Sequence, residues 1–191
     1  MSLPRVLKAR AKHSATMIFL HGLGDTGHGW AEAFNEIRPD YLKIVCPNAP
    51  SMPVTLNRGM VMPAWYDLWQ VSKDSAPDPL RPIKENMQDV EKSTKVLVDL
   101  IESEANKLSN GGRSRIMIGG FSQGGAIALN TILTTKEKVL NLSHLASLAC
   151  PLTQMASPCT GRMNLLHSCK KVILVPLCTI IFMRAWQAYT V

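Results

Sequence analysis

Acidic residues are absent from the C-terminal part of this sequence. No aspartate follows Asp99, and neither aspartate nor glutamate follows Lys138, although four of the five cysteines lie beyond that point. The surface of a folded domain normally carries charges of both signs. The composition therefore changes between the body of the chain and its end.

Patterns typical of several protein classes are also absent. The five cysteines include no C-x-x-C pair and no His/Cys metal-binding spacing, so neither a disulfide framework nor a zinc site is indicated. The N-terminus lacks the uninterrupted apolar segment of a secretory signal, and the apolar stretch at 172–183 is too short for a membrane span. We therefore expect buried thiols and a cytoplasmic location.

Lysine and arginine give the chain a formal net charge of +7, but they are scattered along it. The one small cluster, at 5–12, has no interleaved aromatic residues, so a nucleic-acid surface is not indicated. A solvated basic surface is expected, with at most peripheral membrane contact. The length of 191 residues and the hydrophobic content of 46% indicate one globular domain.

The segment RIMIGGFSQGGAIALNTIL at 115–133 predicts a strand, a tight turn and a helix. Gly120, Ser122 and Gly124 have the G-x-S-x-G spacing of a nucleophile elbow, in which a sharp turn holds the serine in a strained conformation. The free N–H groups at a helix start favour negative charge. We predict that Ser122 is a nucleophile; an ordinary glycine-rich turn is the alternative.

A second glycine-rich loop, HGLGDTGHG at 21–29, lies between an apolar strand at 16–20 and a predicted helix at 30–37. In hydrolases with a nucleophile elbow, a loop of this kind supplies one of two backbone N–H groups that bind the oxyanion. Leu23 and Gln123 are the predicted donors. A plain strand-to-helix turn is the alternative.

The rest of the pattern alternates strands with helices and so predicts βαβ units. We expect one domain over 1–191 with an α/β fold, in which a mainly parallel sheet has helices on both faces. The further elements predicted are a strand at 43–46, a long amphipathic helix at 83–108 ended by the glycines at 111–112, a strand within 140–149 and another within 172–181.

Residues 51–82 form a long, proline-rich segment that contains Trp65, Tyr66 and Trp69. Long loops in compact domains are usually functional. The part at 62–69 is predicted to fold over the active-site edge as a short hairpin or to line an apolar slot. Packing of its aromatic side chains against the body is equally compatible with the sequence.

Three motifs in this order, HGLGDTGHGWAE at 21–32, MPAWYD at 62–67 and GGFSQGG at 119–125, resemble the acyl-protein thioesterases. These belong to the lysophospholipase and small carboxylesterase family, and the similarity covers about 15–153. The resemblance implies an α/β-hydrolase fold and a serine hydrolase that cleaves long-chain acyl thioesters or esters through an acyl-enzyme. Palmitoylated proteins or lysophospholipids are the implied substrates, with no metal or organic cofactor.

The resemblance also implies site residues by position. Ser122 is similar to the family's nucleophile, and Leu23 and Gln123 match its oxyanion-hole donors. Leu23 and Val71 are similar to positions that line the acyl channel.

The chain departs from the family's pattern where the triad acid and histidine are expected. The family's acid lies in His-Gly-x-x-Asp-x-x-Val-Pro, whereas HSCKKVILVP at 167–176 has one extra residue and places Lys171 at the aspartate. The family's histidine would follow a helix and a strand later, beyond Val191. Neither residue is found, and residues 154–191 are interpreted as a divergent, alternatively spliced or frame-altered end, with the fold incomplete there.

The chain's own histidines are not expected to replace the base. We predict that His21 braces its loop through hydrogen bonds, that His28 lies near a helix start, and that His144 begins a strand. His167 is expected in a loop. The alternatives to an active hydrolase are therefore a catalytically impaired form and a non-catalytic acyl-binding module.

Overall fold

The computed structural model of the chain describes residues 2–70, 83–108, 112–134, 144–148 and 172–174. Strands and helices alternate through most of this sequence. In chain order they are β1 (Arg5–Leu7), β2 (Ala15–Leu20), α1 (Gly27–Ile37), β3 (Leu42–Cys46), β4 (Ser51–Val54), β5 (Met60–Pro63), β6 (Leu68–Gln70), β7 (Ile83–Glu85), α2 (Met87–Ala105), β8 (Ile116–Phe121), α3 (Gln123–Thr134), β9 (His144–Leu148) and β10 (Val172–Leu174).

Six strands form one sheet in the order β1-β3-β2-β8-β9-β10. All neighbours in it are parallel except β1, which pairs antiparallel with β3. The mainly parallel sheet confirms the predicted α/β class, whereas the edge strand β1 within the basic leader was not predicted. Because β2 and β8 pair from Thr16↔Ile116 to Leu20↔Gly120, the two glycine-rich loops that follow them leave the sheet side by side.

Helices cover both faces of this sheet, as predicted. Successive side chains of a strand point to opposite faces, and the fully buried strand β2 divides its side chains accordingly. Ile18 and Leu20 pack with residues of α2 and α3, whereas Met17 and Phe19 pack with residues of α1. Among the described helices, none combines the length and the apolar character that a membrane crossing requires.

Helix α1 begins three residues before the predicted start at Trp30. Thr26 is its N-cap, and the Thr26 hydroxyl accepts a hydrogen bond from the His28 N–H. The N–H of Gly27 donates to the side-chain oxygen of Asn48 at 2.7 Å. These two acceptors satisfy N–H groups of the first turn, so the helix can start inside the glycine-rich loop.

Helix α2 is shorter at both ends than the predicted span of 83–108. Residues 83–85 pair instead with β6, and Asn86 caps the helix by accepting from two backbone N–H groups. The helix ends at Ala105, where the N–H of Asn106 turns back to Glu102 and that of Leu108 to Ala105. The prediction that glycines 111 and 112 end this helix was therefore wrong.

A buried carboxylate joins α2 to the central sheet. The Glu104 side chain is 4% exposed and lies 2.7 Å from the Lys43 ammonium and 2.8 Å from that of Lys107. Burial raises the pKa of Glu104, but hydrogen bonds and charge from Lys107 and Lys43 outweigh it and hold the pKa below its ordinary value. The ionised form of Glu104 therefore stabilises the fold.

We expect Glu104→Gln to lower the free energy of unfolding at pH 7 by about 1–3 kcal/mol, because the buried side chain that accepts from Lys43 and Lys107 loses its charge. A group with a depressed folded-state pKa stabilises the fold above its unfolded pKa and loses that contribution as the pH falls through the folded pKa. The difference from wild type should therefore shrink toward about pH 3. Urea denaturation of wild type and variant at pH 7 and at about pH 3 measures this difference in the free energy of unfolding.

The matched control is Glu91→Gln, which changes an exposed residue of the same helix. It should alter the free energy of unfolding by less than about 0.5 kcal/mol. Equal losses in the two variants, or a difference that does not depend on pH, would contradict the role assigned to Glu104.

Candidate active site

Ser122 occupies the sharp turn between β8 and α3 in a left-handed backbone conformation, with φ +50°. In the described part of the chain, only Arg58 shares a positive φ among the residues other than glycine. Such a conformation costs on the order of 1–3 kcal/mol and persists only where its surroundings enforce it. The predicted nucleophile elbow therefore has the backbone that its motif requires.

Two glycines allow the chain to pass through this turn. A Cβ on Gly120 would lie 2.4 Å from the backbone carbon of Gly124, across the turn. A Cβ on Gly124 would lie 2.4 Å from the carbonyl oxygens of both Leu20 and His21. The absence of side chains at these positions thus brings the start of α3 against both central strands.

The first turn of α3 presents backbone N–H groups beside Ser122. The Ser122 carbonyl accepts the hydrogen bond of Ala126 N–H at 3.0 Å, so the helix begins at the serine. Within the described residues, the N–H of Gln123 donates to no protein acceptor. The positive end of the helix dipole and this N–H favour an anion at the same place.

The loop after β2 lies directly against the elbow. A Cβ built on Gly22 would be 3.5 Å from Cβ of Ser122 and 3.0 Å from the Phe121 ring. The N–H of Gly24 donates to Pro63 at 2.8 Å, and that of Asp25 donates to Gly22 at 3.3 Å. The N–H of Leu23, between them, has no protein acceptor in the described part of the chain.

His21 is fully buried and braces this loop, as predicted. Its Nε2 accepts a hydrogen bond from Ala49 N–H at 3.0 Å, so that Nδ1 must carry the proton that it donates to the Gly22 carbonyl at 2.7 Å. Burial lowers the pKa of His21. Because both ring nitrogens are occupied, His21 is not available to take a proton from Ser122.

His28 and His144 lie in the elements in which the sequence predicted them. His28 lies in the first turn of α1, as predicted, and its Nε2 is 3.0 Å from a carboxylate oxygen of Glu32. His144 begins β9 and stands opposite Met117 in the register, at the other end of β8 from Ser122. Five residues of strand span roughly 16 Å, so the register separates the backbone of His144 from that of Ser122 by about this distance. Val71, His167 and Lys171 lie outside the described residues.

The aromatic segment at 62–69 contributes to the site through its backbone. Its start belongs to the hairpin of β4 and β5, while Trp65 and Tyr66 are buried in the body. The Gln123 side chain accepts from Trp65 N–H at 2.8 Å and donates to the Tyr66 carbonyl at 2.7 Å. The sequence predicted a function for the Gln123 backbone. No motif in the sequence indicated that the Gln123 side chain hydrogen-bonds to the backbone of Trp65 and Tyr66.

The Trp65 side chain completes a polar connection between the elbow and the second loop. Its indole N–H donates to the His21 carbonyl at 2.8 Å, and the Trp65 carbonyl accepts from the Ser93 hydroxyl. All polar groups in this connection are buried, where an unmade hydrogen bond costs most. Buried hydrogen bonds through Trp65 therefore connect the elbow to the loop at 21–25.

The sequence of this chain is similar to those of known hydrolases. A sequence model described as Phospholipase/Carboxylesterase matches residues 1–176. Acyl-protein thioesterase 1 of Neurospora crassa is 44% identical over 148 residues, which are 75% of this chain and 58% of that protein. Acyl-protein thioesterase 1 of Gibberella zeae is 40% identical over 162 residues, which are 81% of this chain and 67% of that protein.

A solved structure is similar in fold. The crystal structure of Zea mays acyl-protein thioesterase 2 matches with a TM-score of 0.60 and 27% identity, over 83% of this chain and 69% of that one. The chain thus spans about three fifths to two thirds of the length of these curated relatives.

Gly124 lies so close to the backbone of Leu20 and His21 that a side chain there would not fit. Gly124→Ala should lower the free energy of unfolding by about 1–3 kcal/mol or more, because its Cβ would meet backbone oxygens that cannot rotate away. The control is Gly29→Ala in α1, where no atom lies within 4 Å of the added Cβ. That change should be neutral or stabilise the helix by about 0.5–1 kcal/mol. Guanidinium denaturation measures the free energy of unfolding of both variants. A Gly124→Ala variant as stable as wild type would contradict the close contact between Gly124 and the backbone of β2.

Proposed function

The chain belongs to the phospholipase/carboxylesterase family, whose model matches 176 of its 191 residues, and from this premise we propose that it hydrolyses acyl thioesters or esters with Ser122 as nucleophile. The observation that carries the proposal is the left-handed backbone of Ser122 between β8 and α3. This geometry exposes a serine hydroxyl at a helix start, as an acyl-transfer nucleophile requires.

In the proposed reaction, Oγ of Ser122 attacks the acyl carbonyl carbon and its proton passes to a base. The carbonyl oxygen becomes an oxyanion, which the N–H groups of Leu23 and Gln123 would bind. Collapse of the tetrahedral intermediate breaks the bond to the leaving group, which departs as a thiolate or, after the base returns its proton, as an alcohol; it leaves an acyl-serine, which water then hydrolyses. His21 does not serve as this base, because both of its ring nitrogens already form hydrogen bonds.

Thioesters are the favoured substrate class. A thiol has a pKa of about 8.5, so a thiolate can leave without a proton, whereas an alkoxide requires a general acid. The names of the relatives support acylated proteins as substrates, and lysophospholipids belong to the same proposal. Leu23, which packs at the margin of the core, and Val71 are the proposed acyl-chain contacts. A cytoplasmic location fits palmitoylated proteins as partners.

The alternative is an acyl-binding module with little or no turnover. Lys171 at the position of the family's aspartate favours it, since a cation cannot orient an imidazole. Loss of the base and acid lowers the rate of a serine hydrolase by on the order of 10⁶ and leaves about 10³–10⁴ over the uncatalysed rate.

Thiol release from a palmitoyl-cysteine peptide tests the proposal. We expect wild type to release thiol at least on the order of 10³ times faster than Ser122→Ala, since removing the nucleophile removes the covalent route. Equal rates in the two folded proteins would contradict it. Equal rates together with saturable binding of the uncleaved peptide would establish the acyl-binding module instead.

A further inference from the structure

The ring of His21 is held in a single tautomer by its two hydrogen bonds. Ala49 N–H is a donor, so Nε2 must be unprotonated, and the proton on Nδ1 is directed at the Gly22 carbonyl. Burial lowers the pKa of His21, and this effect outweighs the opposing hydrogen bond to Gly22 and the charge of Asp25, so the ring is neutral at neutral pH. The ring therefore acts as a fixed donor to one carbonyl.

That carbonyl shares a peptide plane with the Leu23 N–H. A trans peptide is planar, with its C=O and N–H pointing in opposite directions, and no peptide of the described chain is cis. The Gly22 carbonyl accepts from His21 Nδ1 and from Asp25 N–H. Two donors on one oxygen fix the rotation of the plane, so they also fix the direction of the Leu23 N–H, away from the His21 ring.

The frame that carries the His21 ring is tied to the elbow. The His21 carbonyl accepts from the Trp65 indole, whose ring lies 5.3 Å from the His21 ring between centroids. The backbone N–H of Trp65 in turn donates to the side-chain oxygen of Gln123. Movement of the imidazole relative to Ser122 would break buried hydrogen bonds, so the direction of the Leu23 N–H is defined relative to the serine.

We propose that His21 is a positioning residue, whose neutral Nδ1–H tautomer turns the Gly22–Leu23 peptide so that the Leu23 N–H faces the oxyanion formed at Ser122. This inference rests on the proposed function. It assigns to His21 neither proton transfer nor contact with substrate. Its effect on the reaction passes through one backbone N–H.

Two variants separate this role from general packing. In His21→Asn, the amide nitrogen can take the place of Nδ1 and donate to Gly22, while the bond to Ala49 is lost. In His21→Gln, the amide oxygen can take the place of Nε2 and accept from Ala49, while the bond to Gly22 is lost. Each variant removes one buried hydrogen bond, so the two should lose similar stability.

The first measurement is the rate of phosphonylation of Ser122 by an alkyl fluorophosphonate, which also places charge on an oxygen beside the serine. His21→Gln should slow the bond-forming step on the order of 10²-fold, the effect of losing one oxyanion donor, without weakening initial binding of the probe. His21→Asn should react within about tenfold of wild type. Ser122→Ala provides the unlabelled control.

The second measurement does not require activity. Nitrogen-15 NMR of the histidine side chains should show Nδ1 of His21 protonated and Nε2 unprotonated at pH 7 in wild type. The opposite tautomer, or a charged ring, would overturn the proposal.

Equal slowing of the Asn and Gln variants while wild type is labelled would also overturn the positioning role but leave the proposed function intact. A folded wild type that is not labelled at all would instead overturn the proposed function, and the positioning role with it.

Discussion

The left-handed turn at Ser122 is the constraint on which the rest of the site depends. The chain can reverse there only because Gly120 and Gly124 have no side chains, which lets α3 begin against the backbone of both central strands. The approach costs backbone strain at the serine, and the pairing of β8, which leads into the turn, with the neighbouring strand β2 helps to hold the turn in place. The strained turn at Ser122 and the close contact of α3 with the sheet are therefore consequences of the same packing.

Buried hydrogen bonds extend this constraint to two further segments. The Gln123 side chain fixes the backbone at Trp65, and the Trp65 indole fixes the carbonyl of His21. The His21 ring then fixes the Gly22 carbonyl and reaches Ala49. None of these hydrogen bonds joins a pair of charged groups, so we expect salt to have little effect on them. Breaking one would leave polar groups unsatisfied in the interior, which lowers the free energy of unfolding. Such a network favours one arrangement of the backbone around Ser122.

Local sequence patterns were sufficient to predict the central strands and the turn at Ser122. The continuous apolar runs at 16–20 and 116–118 identified the central strands, and the G-x-S-x-G spacing identified the elbow between strand and helix. Helix ends were less predictable, because the choice of Asn86 as the N-cap of α2 depends on pairing between β6 and β7, which are 12 residues apart in sequence. The two hydrogen bonds of the Gln123 side chain could not be inferred at all, because its partners lie 57 and 58 residues away and only the folded structure brings them together.

The proposed oxyanion hole, formed by two backbone N–H groups beside Ser122, is tested most directly by a crystal structure of the chain after reaction with a fluorophosphonate. We expect the phosphonyl oxygen on Ser122 to lie about 2.7–3.1 Å from the backbone nitrogens of both Leu23 and Gln123. A phosphonyl oxygen directed to solvent, or bound by only one of the two nitrogens, would contradict the oxyanion hole. An adduct on another residue would contradict Ser122 as the nucleophile.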